Sequence, residues 1–279
     1  MRAGLNQCKQ TIWQSYLFYK KHFPVNRGKY AVGALTHSLI GYAEYDIGGL
    51  SLMLSGASIA GELLIRGKPY QPEVVSSITE ALAGGGNFID IGANIGYMSL
   101  NAALFMRNRK NPGMVYAFEP SAREYGCLLN NIRINGFENI KAFNKGIGPA
   151  KTTAPFYVAN IGHPGANSKY RLNPRDYRCA TAEFAPLAAE MTDKEIAAAR
   201  CVKIDVEGDE VEVLSGIDGV MRLLRDAVFI VEINDTMLGK AGRRAEEIYD
   251  FFYRHSFVPK KRGHGALPVT GNEIFVKAR

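Results

Sequence analysis

Asn87-Phe88-Ile89-Asp90-Ile91-Gly92-Ala93-Asn94-Ile95-Gly96-Tyr97 is the stretch whose reading decides the fold. A short apolar run carrying one acid reads as a buried strand over 87–91, a glycine-containing turn follows, and the pattern after Tyr97 is that of a helix over 97–106. Glycine at 92 and 96 permits a tight turn and lets backbone approach a ligand closely. A dinucleotide fingerprint counted from Gly92 needs glycine at the positions held by Asn94 and Tyr97, and no G-K-[ST] follows. An NAD(P) or FAD site and a P-loop are therefore disfavoured. The pattern suits a nucleoside without pyrophosphate whose amino-acid end carries an ammonium and a carboxylate. Asp90 would attract the ammonium, and backbone N–H groups at the helix start would face the carboxylate. S-adenosylmethionine has that shape.

Working outward, strand and helix signals alternate. Residues 114–119 read as a second strand ending in Glu119, placed to accept hydrogen bonds from ribose hydroxyls. Ser121-Ala122-Arg123-Glu124 reads as a capping box opening a helix to about Asn135, and 140–144 as a third strand. Thr192-Asp193-Lys194-Glu195 is a second capping box, leading through an Ala-rich helix into a strand at 201–205. Val228–Ile233 (strand), 244–254 (helix) and two closing strands near 257–260 and 273–277 complete the pattern. Upstream, Pro72 opens a helix that stops at Gly84-Gly85-Gly86. The expected fold class is α/β: a doubly wound, mostly parallel sheet with an antiparallel edge hairpin. Ligands bind such sheets at the carboxyl ends of the strands, near the switch in strand order, where Asp90, Glu119 and Asp205 all fall.

The 279 residues suit one such domain, set at 68–279, with an N-terminal extension of helix and β-hairpin at 1–67. A composition of 47% hydrophobic and 22% charged residues excludes a disordered or fibrous chain. Cys8, Cys127, Cys179 and Cys201 lie far apart, so neither a disulfide framework nor structural zinc is expected, and a reducing, cytoplasmic setting fits. Residues 1–30 read as no secretory signal, and no stretch is long enough for a transmembrane helix. Leu50, Leu52 and Leu54 alternate after the Gly48-Gly49 turn, as in a hairpin. Residues 9–23 read as a helix with Ile12, Tyr16, Tyr19 and Phe23 on one side. That helix is expected to pack on its own domain or on a sister subunit of a homo-oligomer; peripheral contact with a membrane surface is the alternative. Of the net +7, segment 141–178 carries Lys141, Lys145, Lys151, Lys169, Arg171, Arg175 and Arg178 against Asp176 alone. This loop is expected to overhang the site and to favour an anionic acceptor.

The sequence resembles the FkbM family of S-adenosylmethionine-dependent methyltransferases in FIDIGANIGYMSL (88–100), YAFEP (116–120), NNIRINGFENI (130–140) and VKIDVEGDEVEVLSG (202–216). The resemblance spans about 68–279, and it departs at Tyr70-Gln71-Pro72, where the family often has Tyr-Glu-Pro. It implies a Rossmann-like class I methyltransferase fold and methyl transfer to a hydroxyl of a sugar, glycan, lipid-linked or natural-product acceptor. The cofactor residues it implies are Asp90, Gly92, Ala93, Asn94, Gly96, Glu119, Pro120 and Asp205, with Lys145 and Gly146 near the adenine. Asp205 is expected to position cofactor or acceptor, Glu207 to contact the acceptor or act as base, and His163, in the Gly- and Pro-rich loop 161–167, to offer a second base. Lys203 reads as half of a structural ion pair, and Asp209 and Glu210 as caps of the next helix. Asp205 with Glu232, Asn234 or Asp235 offers oxygen ligands that Mg²⁺ would accept. An RNA methyltransferase is the rival enzyme, disfavoured because no N-P-P-Y-like base clamp is present and nucleic acid is not an expected partner. The non-enzyme rival is an inactive cofactor-binding subunit.

Overall fold

A computed structural model describes residues 2–22, 29–107, 109, 112–159, 167–169, 177–261 and 270–278. The chain opens with α1 (Arg2–His22) and α2 (Lys29–Ile40), followed by a hairpin of β1 (Ala43–Ile47) and β2 (Leu50–Leu54), then α3 (Ile59–Ile65) and α4 (Pro72–Ala81). Gly48 and Gly49 turn the hairpin at φ of 61° and 86°, the left-handed geometry that a two-residue connection between twisted strands requires. The α1 helix buries Trp13, Tyr16 and Leu17, spaced i, i+3, i+4, against its own chain. The inner face expected from Ile12 is therefore rotated: Ile12 is exposed, and Phe23 lies outside the described residues. The α2 helix carries no strong sequence signal because its inner face is made of Gly33 and His37. A Cβ at Gly33 would stand 2.4 Å from the Tyr16 hydroxyl, so glycine is what lets α2 close on α1.

The alternation read from the sequence then runs through β3 (Asn87–Ile91), α5 (Tyr97–Arg107), β4 (Val115–Phe118), α6 (Ala122–Ile134) and β5 (Ile140–Phe143). In place of the expected basic loop, the next segment builds a second sheet from β6 (Gly146–Ile147), β7 (Thr152–Ala159) and β8 (Tyr177–Ala185), in the order β6-β8-β7. Two short helices, α7 (Leu187–Glu190) and α8 (Asp193–Ala197), lead to β9 (Ala199–Ile204), α9 (Glu210–Ile217), β10 (Val228–Ile233), α10 (Asp235–Lys240) and α11 (Ala245–Arg254), and β11 (Phe257–Pro259) and β12 (Gly271–Lys277) close the chain. The capping box at Thr192 and Glu195 forms in full, although the helix behind it has only five residues. The one expected at Ser121 does not form: the Ser121 hydroxyl donates to Glu124, and its N–H donates to Glu119.

The main sheet has the order β11-β12-β10-β9-β3-β4-β5. Its five strands from β10 to β5 are parallel, and β12 and β11 add antiparallel at the β10 edge. The chain travels outward from β3 to β5, returns to the other side of β3 with β9, and so reverses between β3 and β9. Side chains alternate between two cores. Ile89, Ile91, Val202, Ile204 and Val231 meet α9 and α11 on one face, whereas Phe88, Val115, Cys201 and Ile230 meet α4, α5 and the hairpin leucines on the other. The hairpin is thus part of the main core. Asn131 fixes it there, accepting from Met53 N–H at 2.8 Å and donating to Ile95 C=O at 2.9 Å, while Asn135 accepts from Ser51 N–H at 2.9 Å. Among the described residues no helix is long and apolar enough to cross a membrane.

Candidate active site

The same alternation that builds the cores places a row of polar groups on one face. Asp90 of β3 and Lys203 of β9 are register partners, Lys203 is paired with Ile230 of β10, and Glu232 lies two residues on, on the face that Ile230 occupies. Asp205 follows Lys203 by two and lies just past the end of β9. These groups meet where strand order reverses, the place where open α/β sheets take ligands.

Lys203 is buried with its Nζ 2.7 Å from Asp205 Oδ2. Burial alone lowers an ammonium's pKa, but the carboxylates of Asp205 and Asp90 outweigh it, so Lys203 stays charged. Burial likewise opposes ionisation of Asp205, yet Lys203 and a hydrogen bond with Glu232 hold its pKa below the usual carboxylate value. Glu232 is driven the other way, by the charge of Asp205 and then by burial, and so donates its proton toward Asp205. Asp90 is fully buried, and burial raises its pKa despite Lys203 and a 2.6 Å bond from the Ser99 hydroxyl to Oδ2. Its Oδ1 has no hydrogen-bond partner among the described residues. A buried carboxyl oxygen left open beside a cavity invites a cationic donor.

The turn after β3 depends on the glycine at 92. Gly92 sits at φ 86°, and a Cβ there would lie 1.8 Å from the Asp205 carbonyl oxygen. Asp205 N–H in turn donates to Ile91 C=O at 3.0 Å, so the two strand-end loops touch through backbone. Glu119 fastens the turn from the other side, accepting from Asn94 N–H and from Ser121 N–H, both at 2.8 Å. Burial, then the neighbouring Glu124, pushes Glu119 up to about 8. Gly96, at φ 92°, is a packing position: a Cβ would strike Leu128 and Leu100.

A cavity of about 300 Å³ opens over these groups. The expected residues Asp90, Gly92, Ala93, Asn94, Glu119, Pro120, Gly146, Asp205 and Glu207 all line it. Gly96 and Lys145 are not on its wall, and Lys145 pairs with Glu190 at 2.8 Å. His163 lies outside the described residues. Asp209 pairs with Lys169 at 2.5 Å rather than capping α9, whereas Glu210 accepts from Gly208 N–H at 3.1 Å and holds the β9–α9 loop. In that loop Glu207 sits at φ 56°, and its carboxyl is pushed up to about 8, by burial first and then by Asp205 and Glu210.

Much of the rest of the wall was not anticipated from the sequence, Lys169 of the basic segment excepted. Lys20, Tyr42, Ser58 and Ile59 come from the N-terminal extension, Phe156 and Phe184 from β7 and β8 of the second sheet, and Asn167 and Lys169 from the segment between those strands. Long-range packing alone brings them in. Tyr70 and Gln71 also line the cavity; Gln71 stands where the family often has Glu, and its Oε1 is buried with no hydrogen-bond partner among the described residues. Of the described basic residues in 141–178, Lys169 reaches the wall, while Lys141 lies over the Tyr116 and Phe143 rings.

Asp205, Glu207 and Glu232 each offer an oxygen within 4.8 Å of the others. Asn234 and Asp235 do not join them: Asn234 caps α10 by accepting from Met237 N–H at 3.3 Å, and Asp235 accepts from the Thr270 hydroxyl at 2.7 Å. With Lys203 already seated against Asp205, the cluster contains its own cation and suits a divalent ion poorly.

A doubly wound sheet with acids at its strand ends, a glycine turn without the pyrophosphate fingerprint and an antiparallel edge pair defines a class I methyltransferase fold. The Methyltransferase FkbM domain matches residues 90–259, and the chain belongs to that family. Methyltransferase 1 of Beauveria bassiana (strain ARSEF 2860) is 24% identical over 165 residues, covering 53% of this chain and 64% of that protein. The chain therefore spans less than two thirds of that relative's length. Among solved structures, the methyltransferase FkbM of Methylobacillus flagellatus KT aligns at 16% identity and a TM-score of 0.41, over 68% of this chain and 43% of that one. The precorrin-6y C5,15-methyltransferase of Geobacter metallireducens GS-15 aligns at 17% identity and 0.39, over 73% and 86%.

Proposed function

We propose that this chain is an S-adenosylmethionine-dependent O-methyltransferase acting on a hydroxyl of an anionic sugar, glycan, lipid-linked or natural-product acceptor. The observation that carries the reading is the placement of Glu207, a carboxyl raised to about 8, in the same cavity as the open oxygen of Asp90. When bound, the cofactor supplies a methyl group already activated on a sulfonium sulfur. Asp90 Oδ1 would hold the ammonium, and Gly92, Ala93 and Asn94 line the cavity beside it, their N–H groups already donating to Phe118 C=O and Glu119. Glu119 would take the ribose hydroxyls with the lone pairs its two backbone donors leave free.

An alcohol acceptor must lose its proton as its oxygen is methylated. Glu207 takes that proton, and Asp205, fixed by Lys203, keeps the neighbouring charge constant while it does so. The excess of basic residues over 141–178 is what supports an anionic acceptor; Lys20 and Lys169 line the cavity but are each paired with an acid, Glu62 and Asp209 respectively. Because Lys203 is the cation of the cluster, turnover is expected to survive chelation by EDTA. The test combines binding of labelled S-adenosylmethionine with methyl incorporation into phosphate- or carboxylate-bearing oligosaccharides, neutral sugars and RNA. Binding plus salt-sensitive transfer to the charged hydroxyl compounds is expected. No binding at millimolar cofactor, transfer to RNA alone, or EDTA-inhibited transfer restored by Mg²⁺ would overturn the corresponding part of the reading.

A further inference from the structure

Large exposed apolar side chains are not spread evenly over this molecule. Among the described residues, all but Leu129 fall within residues 5–59. On α2, Val32, Leu35 and Leu39 are spaced i, i+3, i+7 and stand 39%, 60% and 75% exposed, opposite the inner face of Gly33 and His37 that closes on α1. Phe18 on α1 is 62% exposed, and Ile59 at the start of α3 is 77% exposed. An amphipathic helix normally turns its apolar stripe inward, whereas α2 turns it to solvent.

Charge follows the same segment. Residues 1–43 contain six basic residues (Arg2, Lys9, Lys20, Lys21, Arg27 and Lys29) and no acid; the first acid of the chain is Glu44. The +6 of this segment equals that of 141–178, so the rest of the chain is net acidic at −5. Apolar side chains emerging from a segment whose own charges are all positive, of which Lys20 is paired with Glu62, match an anionic lipid surface, which takes both. A second copy of the chain is a poor occupant, because each face would bring +6 against +6.

The cavity adds continuity. Lys20 and Ile59 line it, and Ile59 is also largely exposed, so the same N-terminal segment that carries the exposed apolar side chains supplies part of the cavity wall. We propose that the α1–α2 pair is a docking surface for an anionic lipid bilayer, with Phe18, Val32, Leu35 and Leu39 entering the interface and the cavity rim facing the headgroups. Resting on the methyl-transfer reading above, this narrows the acceptor to a hydroxyl carried by a lipid.

The experiment is flotation of the full chain with phosphatidylcholine vesicles, with and without about 30% phosphatidylglycerol. At about 0.1 M salt the chain should partition at least about tenfold more onto the anionic vesicles, and about 0.5 M salt should release it. The double variant Leu35→Asn, Leu39→Asn should lose about tenfold or more in partition, with its unfolding midpoint and its binding of labelled S-adenosylmethionine unchanged. Failure of the wild type to float, equal flotation of the variant, or a dimer in light scattering that the variant abolishes would each overturn the proposal. Flotation is read without turnover, so its failure leaves the methyl-transfer reading standing. Loss of cofactor binding would in turn leave the docking result standing.

Discussion

Glu207 is a non-glycine residue at φ 56°, a conformation that costs about 1 kcal/mol or more and persists where the surroundings impose it. Here the Ser168 hydroxyl donates to Glu207 C=O at 2.6 Å, and Glu210 anchors the N–H of Gly208. The strained backbone aims a carboxyl of raised pKa into the cavity. If Glu207 accepts the acceptor's proton, the rate must follow its ionised fraction: low at pH 6, rising through about 8, then level. Glu207→Gln is expected to lower kcat by about 10²-fold and to remove that rising limb, with cofactor affinity little changed. A variant retaining the limb would show that another group takes the proton. Asp90, Glu119 and Asp205 were legible in the sequence because each ends a strand beside a glycine turn, and sequence order alone puts strand ends at one edge. That Lys203 forms an ion pair was legible too; that its partner is Asp205 was not read from the sequence. The protonated state of Glu232 was not legible, because it depends on how closely two carboxyls on neighbouring strands approach and how deeply the pair is buried, which only the packed sheet sets.

At the scale of elements, the instructive case is the clamp between α6 and the hairpin. Asn131 is fully buried and satisfies one edge N–H of β2 and one carbonyl of the β3–α5 turn. Asn131→Ala leaves both backbone groups unpaired in the interior and is expected to cost about 2–3 kcal/mol in urea unfolding. A loss below about 0.5 kcal/mol would mean that water replaces the side chain. The strands of the main sheet were legible as apolar runs bounded by turn residues, and the hairpin by its alternating leucines. The second sheet was not: β7 begins Thr152-Thr153-Ala154-Pro155, with exposed and polar positions that give only weak alternation. The α2 helix escaped notice for a related reason, since its buried face is a glycine and a histidine while its apolar residues face out.

For the whole molecule, the extension and the methyltransferase sheet share one core. Leu50, Leu52 and Leu54 pack with Val74, Ile78, Phe88 and Leu100, and residues from both parts wall the cavity. A fragment comprising 68–279, the boundary that family resemblance suggests, would expose that face of the core. It is expected to melt without a cooperative transition and to bind ANS, whereas the full chain melts cooperatively; a cooperative fragment of native stability would show the extension to be an independent addition. The sequence by itself determined the α/β class, the parallel order of strands with an antiparallel edge, the family, and the acids at the strand ends. Those follow from local periodicity and turn chemistry, which neighbouring residues encode. Only the tertiary structure decided that Lys20, Ile59 and Tyr70 wall the cavity, that Lys203 is the cation of the acidic cluster, and that α2 presents its apolar face outward. Each of these depends on how separate segments close on one another, Lys203 meeting Asp90 and Glu232 of neighbouring strands and α2 meeting α1, rather than on any short pattern.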